Sequence, residues 1–445
     1  MTLTLHQSAE LRRALSGPIG ILGGGPGTGK TFTVAALVAD LSTTVGIDNI
    51  CIGAPTGKAA VRVTEVMQKA GLPIRARTWH SILKGGTDSG FEYDRSNPLP
   101  FSVLIGDESS MVDVSLMAAI LRARPRGCLC LFVGDVNQLS PVGSGAPLRD
   151  MIAAGLPYGE LTEIKRNSGG IVEACHAIRH GHRWECGDNL RLVDASAPEH
   201  QIECMLRMIA KEAMGGSDPI NDIQVLAAVN EKSPLARKTL NTILQAELNP
   251  LGAKANGNVF RISDKIVCLK NGRYKAVEFD GSDPDTDVND RGECYVANGE
   301  LARVLDVEPG STTARLENPT RVVKIPRGGS DPPLREAELG SDQEQPEASA
   351  TGCSWDLGYC LSVHKSQGSE WPVVITMLDD YPGARMVCSR EWFYTAVSRA
   401  KDTQYLIGRK STADAMVKRP AIWKRKTFLR ERILMEKARL EMAEL

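Results

Sequence analysis

The first third of the chain alternates short apolar runs with stretches of helical spacing. Apolar runs of strand length occur at PIGILGG (18–24), NICIGAPT (49–56), SVLIGDE (102–108) and GCLCLFVGD (127–135). The stretch KTFTVAALVADL (30–41) carries apolar residues three and four positions apart, as an amphipathic helix does. Uninterrupted apolar runs are typical of strands buried on both faces, so this region predicts a parallel sheet covered by helices.

A second alternation of the same kind starts near Tyr158. It includes IQVLAAVN (223–230) and, after a long gap, VVITML (373–378) and TQYLIGR (403–409). Helical stretches again separate these runs. The sequence therefore predicts two α/β domains.

Two segments interrupt the alternation. Between residues 84 and 101, Gly, Asp, Asn and Pro surround one short aromatic stretch, which predicts a small inserted hairpin. Between residues 251 and 350 the helical spacing disappears, and β-like runs such as ELARVLDV (300–307) and RVVKI (321–325) are separated by turns. This pattern predicts a small β-barrel inserted into the second domain.

These patterns place the first domain at residues 1–157, the second at 158–250 and 351–445, and the inserted β-domain at 251–350. The inserted domain contains two acidic stretches with few large apolar residues. Both are predicted to be mobile loops; they are EFDGSDPDTDVNDRGE (278–293) and SDPPLREAELGSDQEQPEAS (330–349).

Composition and charge narrow the classes of protein. With 53 Lys and Arg against 54 Asp and Glu, the net charge of -1 supplies no overall attraction for nucleic acid, so local groups must hold any polyanion. There is no run of 18 apolar residues and no signal-peptide pattern at the start, so we expect no membrane span and a cytoplasmic protein. The 11 cysteines include no C-x-x-C pair and are expected to be reduced.

Two further clusters have an ordinary structural interpretation. The segment CHAIRHGHRWEC (175–186) holds potential zinc ligands, but their spacing does not oppose one pair to another, so we interpret it as a helix end. The basic segment 418–445 could contact a nucleic-acid backbone. The solvated face of a helix is the favoured interpretation.

Residues 24–31, GGPGTGKT, match the phosphate-binding pattern G-x-x-x-x-G-K-[ST], follow a predicted strand and open a predicted helix. Glycines let backbone N–H groups close around phosphate oxygens, Lys30 can reach the β- and γ-phosphates, and Thr31 can bind Mg²⁺. The residues predicted to hold the nucleotide in this loop are Gly25, Gly27, Thr28, Gly29, Lys30 and Thr31.

Two acids end the run SVLIGDE, and we assign Asp107 to Mg²⁺ and Glu108 to polarising the attacking water. A hydrolase needs a base directed at water and a nucleotide kinase does not, so the loop and the acids together predict NTP hydrolysis. Gln138 in GDVNQL follows the next strand, where a γ-phosphate sensor would lie. The alternative for Gln138 is an exposed loop amide.

The motifs resemble, in their order, those of superfamily 1 helicases: GGPGTGKT, APTGKAA, TWHSIL, DESSMVD, GDVNQLSPV, LTEIKRN, VHKSQGSEWPVV and WFYTAVSRAKD. DESSMVD together with APTGKAA is most similar to the RecD-like and Dda-like DNA helicases of branch 1B. The resemblance implies an α/β fold of two RecA-like parallel-sheet domains, with a β-hairpin inserted in the first and a β-barrel of the Src-homology-3 type in the second. The 5′→3′ direction of movement rests on the resemblance alone.

The resemblance also assigns residues outside the phosphate loop. Arg166 and Arg399 resemble the arginines that reach the γ-phosphate from the second domain, so they join Glu108 and Gln138 as candidate catalytic residues. Gln7 resembles the glutamine that reads adenine, and Glu370 in the second domain resembles the residue that holds the ribose.

Contacts with single-stranded DNA are expected on loops at the top of both sheets, at Pro55, Thr56, Thr78, Trp79, His80, His364, Lys365 and Ser366. Trp79 or His80 could stack on a base, and a core aromatic is an equally good interpretation of Trp79. Phe91 or Tyr93 in the inserted hairpin is the candidate wedge between duplex strands.

The predicted function is that of an ATP-dependent DNA helicase or translocase that moves 5′→3′ on single-stranded DNA, with ATP and Mg²⁺ as cofactors. Single-stranded DNA and duplex forks are the expected partners, replication or recombination proteins are candidate partners, and a monomer is the expected state. Two alternatives stay open. One is a DNA-stimulated ATPase that acts as a loader, and the other is an ATP-gated nucleic-acid-binding module.

Overall fold

The structure is a computed structural model, and it describes residues 2–87, 90–163, 169–279, 292–317, 320–326 and 354–443. Arg166 and most of the two acidic stretches lie outside the described residues. The prediction that these stretches are mobile loops therefore stays a prediction.

In chain order, the elements up to residue 161 are α1 (Leu5–Ala14), β1 (Ile19–Gly24), α2 (Lys30–Val45), β2 (Ile50–Ala54), α3 (Gly57–Lys69), β3 (Arg77–Thr78), α4 (Trp79–Ile82), β4 (Gly85–Thr87), β5 (Gly90–Phe91), β6 (Val103–Gly106), α5 (Val114–Ala123), β7 (Leu129–Gly134), α6 (Pro147–Ala153) and β8 (Tyr158–Leu161). Side-chain caps start several of these helices. The hydroxyl of Thr56 accepts a hydrogen bond from the N–H of Ala59 at the start of α3, and Asp113 does the same for Leu116 at the start of α5.

The later elements are α7 (Gly170–His180), β9 (Leu190–Val193), α8 (Pro198–Met214), β10 (Ile223–Ala227), α9 (Arg237–Leu248), β11 (Lys265–Cys268), β12 (Gly272–Phe279), β13 (Glu293–Val296), β14 (Leu301–Glu308), β15 (Ser311–Leu316), β16 (Arg321–Pro326), β17 (Trp355–Leu357), β18 (Cys360–Ser362), β19 (Trp371–Met377), α10 (Pro382–Val387), α11 (Arg390–Val397), β20 (Ala400–Ile407), α12 (Lys410–Val417) and α13 (Leu429–Ala443). The described residues form two compact units. The first unit holds residues up to 163 together with 419–443, and the second holds those between 169 and 418.

The first unit is built on a six-stranded sheet with the order β3-β2-β6-β7-β1-β8. Every neighbouring pair of these strands is parallel, which confirms the predicted parallel α/β architecture. Strands β6, β7 and β1 are consecutive in the sheet. The loops that follow these three strands therefore lie side by side at its carboxyl edge.

The two faces of this sheet pack into two different hydrophobic clusters. One cluster lies between the sheet and helices α2 and α3, and it includes Leu22, Ile52 and Leu131. The apolar residues next to these three along the strands belong to the other cluster. The opposite cluster contains Phe132 together with Cys128 and Cys130, so the two cysteines share one face of the sheet. The strict alternation follows from the two-residue period of a strand, which turns successive side chains to opposite faces.

The second unit contains a five-stranded parallel sheet with the order β18-β10-β19-β20-β9. This confirms the second predicted α/β alternation. The second unit also contains a seven-stranded antiparallel sheet with the order β13-β12-β16-β15-β14-β11-β17. The antiparallel sheet lies where the inserted β-domain is predicted, and it continues past the predicted boundary at residue 350 to β17.

The antiparallel sheet is open in its strand pairing, because β13 and β17 are its edges. It is nevertheless curled, since the rings of Tyr274 in β12 and Trp355 in β17 have their centroids 5.7 Å apart. The structure thus supports an inserted antiparallel domain. A barrel closed by pairing does not occur among the described residues.

Two segments lie on the other side of the predicted domain boundaries. Strand β8 starts at Tyr158, the predicted start of the second domain, yet it pairs with β1 in the first sheet. Residues 419–443 were assigned to the second domain, but they pack with the first unit. Strand pairing and packing between residues distant in sequence decide both cases, and the local pattern does not report them.

The predicted hairpin insertion contains β4 and β5, which pair antiparallel with Gly85 opposite Phe91. In none of the described ranges does a helix combine the length and apolar composition needed to cross a membrane.

Candidate nucleotide-binding site

The phosphate-binding motif forms the turn between β1 and α2. Gly27 and Gly29 have φ angles of 72° and 82°, in the left-handed region that other residues rarely adopt. A Cβ at Gly29 would also lie 2.9 Å from Nε2 of Gln7. The backbone conformation therefore favours glycine at residue 29, and the turn leads directly into the free N–H groups that begin α2.

Side chains of the motif close the turn on itself. Oγ1 of Thr28 donates to the carbonyl oxygen of Gly25 at 2.9 Å. Nζ of Lys30 donates to the carbonyl oxygens of Gly24 and Gly25 at 2.8 and 3.1 Å. The ammonium group thus lies against the start of the loop, and the half-buried Thr31 follows it in the first turn of α2.

Gln7, the predicted adenine-reading residue, lies beside this loop. Its side chain is buried, and its Oε1 accepts a hydrogen bond from the N–H of Thr4 at 3.1 Å. Thr4 in turn caps α1 by accepting from the N–H of Gln7 at 3.2 Å. The cap holds the amide of Gln7 next to Gly29.

The two predicted carboxylates follow β6. Burial raises the pKa of Asp107 to about 6, and the neighbouring charge of Glu108 adds to this, whereas the positive charges of Lys30 and Arg62 oppose it. Sequence reasoning did not include Arg62. Its position in α3, six residues after the cap at Thr56, is the only signal that could have indicated it.

Glu108 has a φ of 47°, an unfavourable conformation for a residue with a side chain. Its Oε2 is buried and has no hydrogen-bond partner among the residues that the structure describes. Strained backbone and unsatisfied buried oxygens both cost free energy, and both concentrate at functional sites. The conformation of Glu108 is therefore stronger evidence for a functional role than the residue type alone.

Gln138 follows β7, and its N–H donates to the carbonyl oxygen of Asp135 at 3.1 Å. The side chain is buried, which excludes the interpretation as an exposed loop amide. Oε1 of Gln138 and Oγ of Ser110 are buried without hydrogen-bond partners in the described ranges, and both residues line one small cavity. The phosphate loop, Asp107, Glu108 and Gln138 thus meet at the ends of three adjacent strands.

Several predicted DNA contacts lie on the same edge of the first sheet. Pro55, Thr56, Thr78 and His80 are half-buried, and the hydroxyl of Thr78 caps the short helix α4. The ring of His80 lies 5.8 Å from that of Phe91, which packs with Tyr93 against the hydrophobic cluster of this face. The wedge candidates are therefore partly buried side chains at the base of the hairpin.

Trp79 is fully buried, which favours the core-aromatic interpretation of this residue over stacking on a DNA base. Its ring occupies the space that a Cβ would need at Gly53, at 2.4 Å from Cε2. Because Gly53 in β2 has no side chain, the ring of Trp79 can fill this space. Trp79 is thus a core aromatic, and of the two stacking candidates only His80 is not fully buried.

Replacing Trp79 with alanine is expected to lower the free energy of unfolding by about 3–5 kcal/mol, because a large buried side chain is lost. Trp79→Phe should fold and bind single-stranded DNA like the wild type, whereas His80→Ala should weaken DNA binding without loss of stability. Thermal melts and fluorescence anisotropy with a labelled oligonucleotide measure both effects. A stable Trp79→Phe variant with weakened DNA binding would show that the ring contacts DNA.

The predicted residues of the second unit have different environments. The guanidinium of Arg399 is buried and donates to the carbonyl oxygens of Thr395 and Ser369 at 3.0 and 3.1 Å and to Oγ of Ser398 at 2.9 Å. Arg399 thus fixes the turn that precedes Glu370, which is half-buried directly before β19.

Of the three predicted DNA contacts after β18, His364 and Lys365 are half-buried. Ser366 is fully buried, and its hydroxyl donates to the carbonyl oxygen of Val363 at 2.8 Å. This hydroxyl closes the turn between β18 and β19, so a contact with phosphate would require Ser366 to exchange this bond, and the contact stays a prediction.

Comparisons with known proteins agree with the fold and the motifs. A protein-family model described as an AAA domain matches residues 7–144. A second family model, described as the UvrD-like helicase C-terminal domain, matches residues 357–407. This chain is similar in fold to the solved structure of Pif1 helicase from Bacteroides in complex with ADP-AlF3 and ssDNA. The two chains superpose with a TM-score of 0.53 and are 16% identical in sequence. The match covers 100% of this chain and 98% of that one, and it shows a shared fold.

Two curated relatives are similar along most of the chain. The chain is 33% identical over 414 residues to the ATP-dependent RecD2 DNA helicase of Deinococcus radiodurans, covering 91% of this chain and 49% of that protein. It is 30% identical over 450 residues to the RecBCD enzyme subunit RecD of Mycolicibacterium smegmatis, covering 96% of this chain and 74% of that protein. The chain thus spans about half the length of the first relative and about three quarters of the second.

The glycine turn before α2, the acids after β6 and the glutamine after β7 define a P-loop NTP-binding protein of the α/β class. The chain belongs to the RecD-like family of superfamily 1B DNA helicases.

Proposed function

We propose that this chain is an ATP-dependent DNA helicase or translocase that moves 5′→3′ on single-stranded DNA and separates duplex strands. The observation that carries the proposal is a pair of buried oxygens beside a phosphate loop, Oε2 of Glu108 and Oε1 of Gln138, neither of which has a hydrogen-bond partner among the described residues. Both oxygens can accept hydrogen bonds from a water molecule. This arrangement suits a reaction in which water attacks the γ-phosphate.

In the proposed reaction, the backbone of the loop from Gly25 to Gly29 binds the phosphates. Lys30 exchanges its bonds to the loop carbonyls for phosphate oxygens, since a phosphate is a stronger partner for an ammonium group. Glu108 accepts the proton of the attacking water, and Gln138 orients it. Gln7 contacts the adenine.

The residues present also fit Mg²⁺. Thr31 offers a hydroxyl and Asp107 a buried carboxylate at the same edge of the sheet, and hard divalent cations prefer oxygen ligands. A cation there would also offset the burial that raises the pKa of Asp107. When bound, Mg²⁺ would neutralise charge on the phosphates.

For the second unit, we propose that Arg399 stabilises the charge that develops during hydrolysis, and that Glu370 holds the ribose. To do so, Arg399 would give up its hydrogen bonds to Ser369 and Ser398 and donate to phosphate oxygens instead. The same role is proposed for Arg166, which lies outside the described residues. Coupling between hydrolysis and movement on DNA would depend on these residues.

The proposed DNA track uses Pro55, Thr56, Thr78 and His80 of the first unit, and His364 and Lys365 of the second. Hydroxyls and backbone amides on such loops hold phosphates without reading sequence. Phe91 or Tyr93 would separate the duplex at a fork. We further propose that the first unit is domain 1A, the parallel sheet of the second unit is domain 2A, and the curled antiparallel sheet is a domain 2B of the Src-homology-3 type.

Strand displacement is expected only for duplexes that carry a 5′ single-stranded tail, because the chain belongs to a family placed in the 5′→3′ branch. The measurement compares release of a labelled strand from 5′-tailed, 3′-tailed and blunt duplexes at saturating ATP and Mg²⁺. ATPase turnover with and without single-stranded DNA is measured in parallel.

Preferential unwinding of the 3′-tailed duplex would reject the direction and leave the ATPase proposal standing. DNA-independent hydrolysis without strand release would favour the loader. ATP-sensitive DNA binding without turnover would favour the binding module.

A further inference from the structure

The basic C-terminal segment is attached to the loop that follows Gln138. We call residues 419–429 the C-terminal strap and residues 138–146 the sensor loop. The strap begins where the chain leaves the second unit, and it ends where α13 starts at Leu429. Leu429 and Ile433 pack against the hydrophobic cluster that contains Phe132. The end of the chain is therefore more than a solvated basic helix, although most of α13 is exposed.

Two arginines join the strap to the sensor loop and to helix α6, which directly follows that loop. Arg149, in the first turns of α6, donates to the carbonyl oxygens of Ile422 and, at 2.7 Å, of Arg425 in the strap. Arg425 donates in the other direction, to the carbonyl oxygen of Gly143 in the sensor loop at 2.6 Å. Arg425 thus bonds the main chain of the sensor loop, and Arg149, three residues after that loop in α6, bonds the main chain of the strap, so backbone atoms are held on both sides.

A buried carboxylate completes the attachment. Oδ1 of Asp150 accepts hydrogen bonds from Nε and Nη2 of Arg149 at 2.8 and 2.5 Å, and Oδ2 accepts from Oγ1 of Thr427. The approach is close at Gly145, where a Cβ would lie 2.3 Å from Cγ2 of Thr427. A glycine with a φ of 83° thus allows the strap to reach the carboxylate.

The strap also borders the cavity at the proposed catalytic residue. Ile422 and Arg149 line the same small cavity as Gln138 and Ser110. Oε1 of Gln138 has no hydrogen-bond partner within the described part of the chain, so no local bond fixes the oxygen of this amide. The position of Gln138 therefore depends on how the sensor loop packs, and the strap is one of the segments against which this loop packs.

We propose that Arg149, Asp150 and Thr427 are positioning residues for ATP hydrolysis, and that they act by holding the sensor loop, and with it Gln138, through the C-terminal strap. This inference rests on the proposed function, since it takes Gln138 as a residue that orients the attacking water. A displacement of about 1 Å at a reacting group can lower a rate about 10²-fold, so a loosened loop should show itself in kcat.

The test compares two substitutions at Thr427 in the full chain. Thr427→Val keeps the shape and removes the hydroxyl, while Thr427→Ser keeps the hydroxyl. We expect Thr427→Val to lower the DNA-stimulated kcat by about 10-fold or more with KM for ATP changed less than about two-fold, and Thr427→Ser to remain near wild type. Arg439→Ala is the control for loss of a basic residue, because its side chain is 75% exposed on α13, and it should hydrolyse ATP at the wild-type rate.

Hydrogen exchange provides the second readout. Amides 139–146 should exchange faster in Thr427→Val than in Thr427→Ser, with thermal melts confirming that both are folded. If Thr427→Val does not fold, Arg149→Lys decides, since lysine keeps the charge but cannot bond Ile422, Arg425 and Asp150 together.

Three results would overturn the inference. One is faster exchange of the sensor loop with an unchanged kcat, and another is an equal loss of kcat in Thr427→Val and Thr427→Ser. The third is that the wild type hydrolyses ATP in the presence of single-stranded DNA and that the strap variants hydrolyse it at the same rate. This third result rejects only the present inference and leaves the proposed function standing. A wild type without DNA-stimulated hydrolysis rejects the proposed function and this inference with it.

Discussion

Replacing Glu108 with glutamine is expected to lower kcat for ATP hydrolysis by about 10²–10⁴-fold, the contribution typical of a positioned general base. ATP should still bind, because the phosphate loop and Lys30 are untouched. Glutamine has nearly the shape of glutamate, so the turn with its φ of 47° can be kept. The difference between the variant and the wild type therefore reports the proton-accepting carboxylate alone.

Steady-state hydrolysis and a titration with a fluorescent ATP analogue measure the two properties separately. Glu203→Gln is a matched control, because that carboxylate is 66% exposed on α8 and pairs with Arg207. Normal turnover in Glu108→Gln would remove the general-base assignment, and loss of ATP binding would indicate that Glu108 holds the nucleotide instead.

Replacing Arg399 with alanine is expected to lower kcat by on the order of 10³-fold or more, as for arginines that stabilise charge in phosphoryl transfer. The alternative is a structural role, because the guanidinium bonds the carbonyl oxygens of Ser369 and Thr395. A structural role would lower the melting temperature and weaken ATP and DNA binding together. A role in charge stabilisation would lower kcat with both affinities retained.

Arg399→Lys separates the two roles further. Lysine keeps the positive charge but cannot make the three hydrogen bonds of the guanidinium, so partial recovery of kcat would favour the charge. Arg385→Ala, which removes an arginine that is 58% exposed, is the control. Normal hydrolysis with poor DNA binding in Arg399→Ala would assign the residue to the DNA track.

Some features of the fold and of the site have causes that are local in the sequence. The apolar runs predicted both parallel sheets, because a strand buried on two faces needs apolar side chains at every position. The phosphate loop was equally predictable, since its glycines, Lys30 and Thr31 are contiguous and its geometry is that of a single turn. Asp107, Glu108 and Gln138 could be placed because each follows a predicted strand, and parallel strands bring their carboxyl ends to one edge.

Other features depend on residues far apart in the chain. Trp79 is buried because Gly53 leaves space for its ring, and nothing in TWHSIL indicates this. The hydroxyl of Ser366 bonds a carbonyl oxygen of its own turn, and the guanidinium of Arg399 bonds the carbonyl oxygen of Ser369, whereas the motifs that contain these residues suggest exposed functional groups. Burial and hydrogen bonding are properties of the surrounding surface, so a motif can identify a residue without describing its environment.

The sequence by itself determined the class of fold, the phosphate loop, the acids and the family. Each of these depends on residue type and spacing within a few positions or on the order of motifs along the chain. Only the tertiary structure decided that β8 pairs with β1 and that the C-terminal strap bonds the sensor loop through Arg425 and helix α6 through Arg149. The physical reason is that these contacts join segments more than 100 residues apart, and pairing and packing at such separations depend on the complete fold.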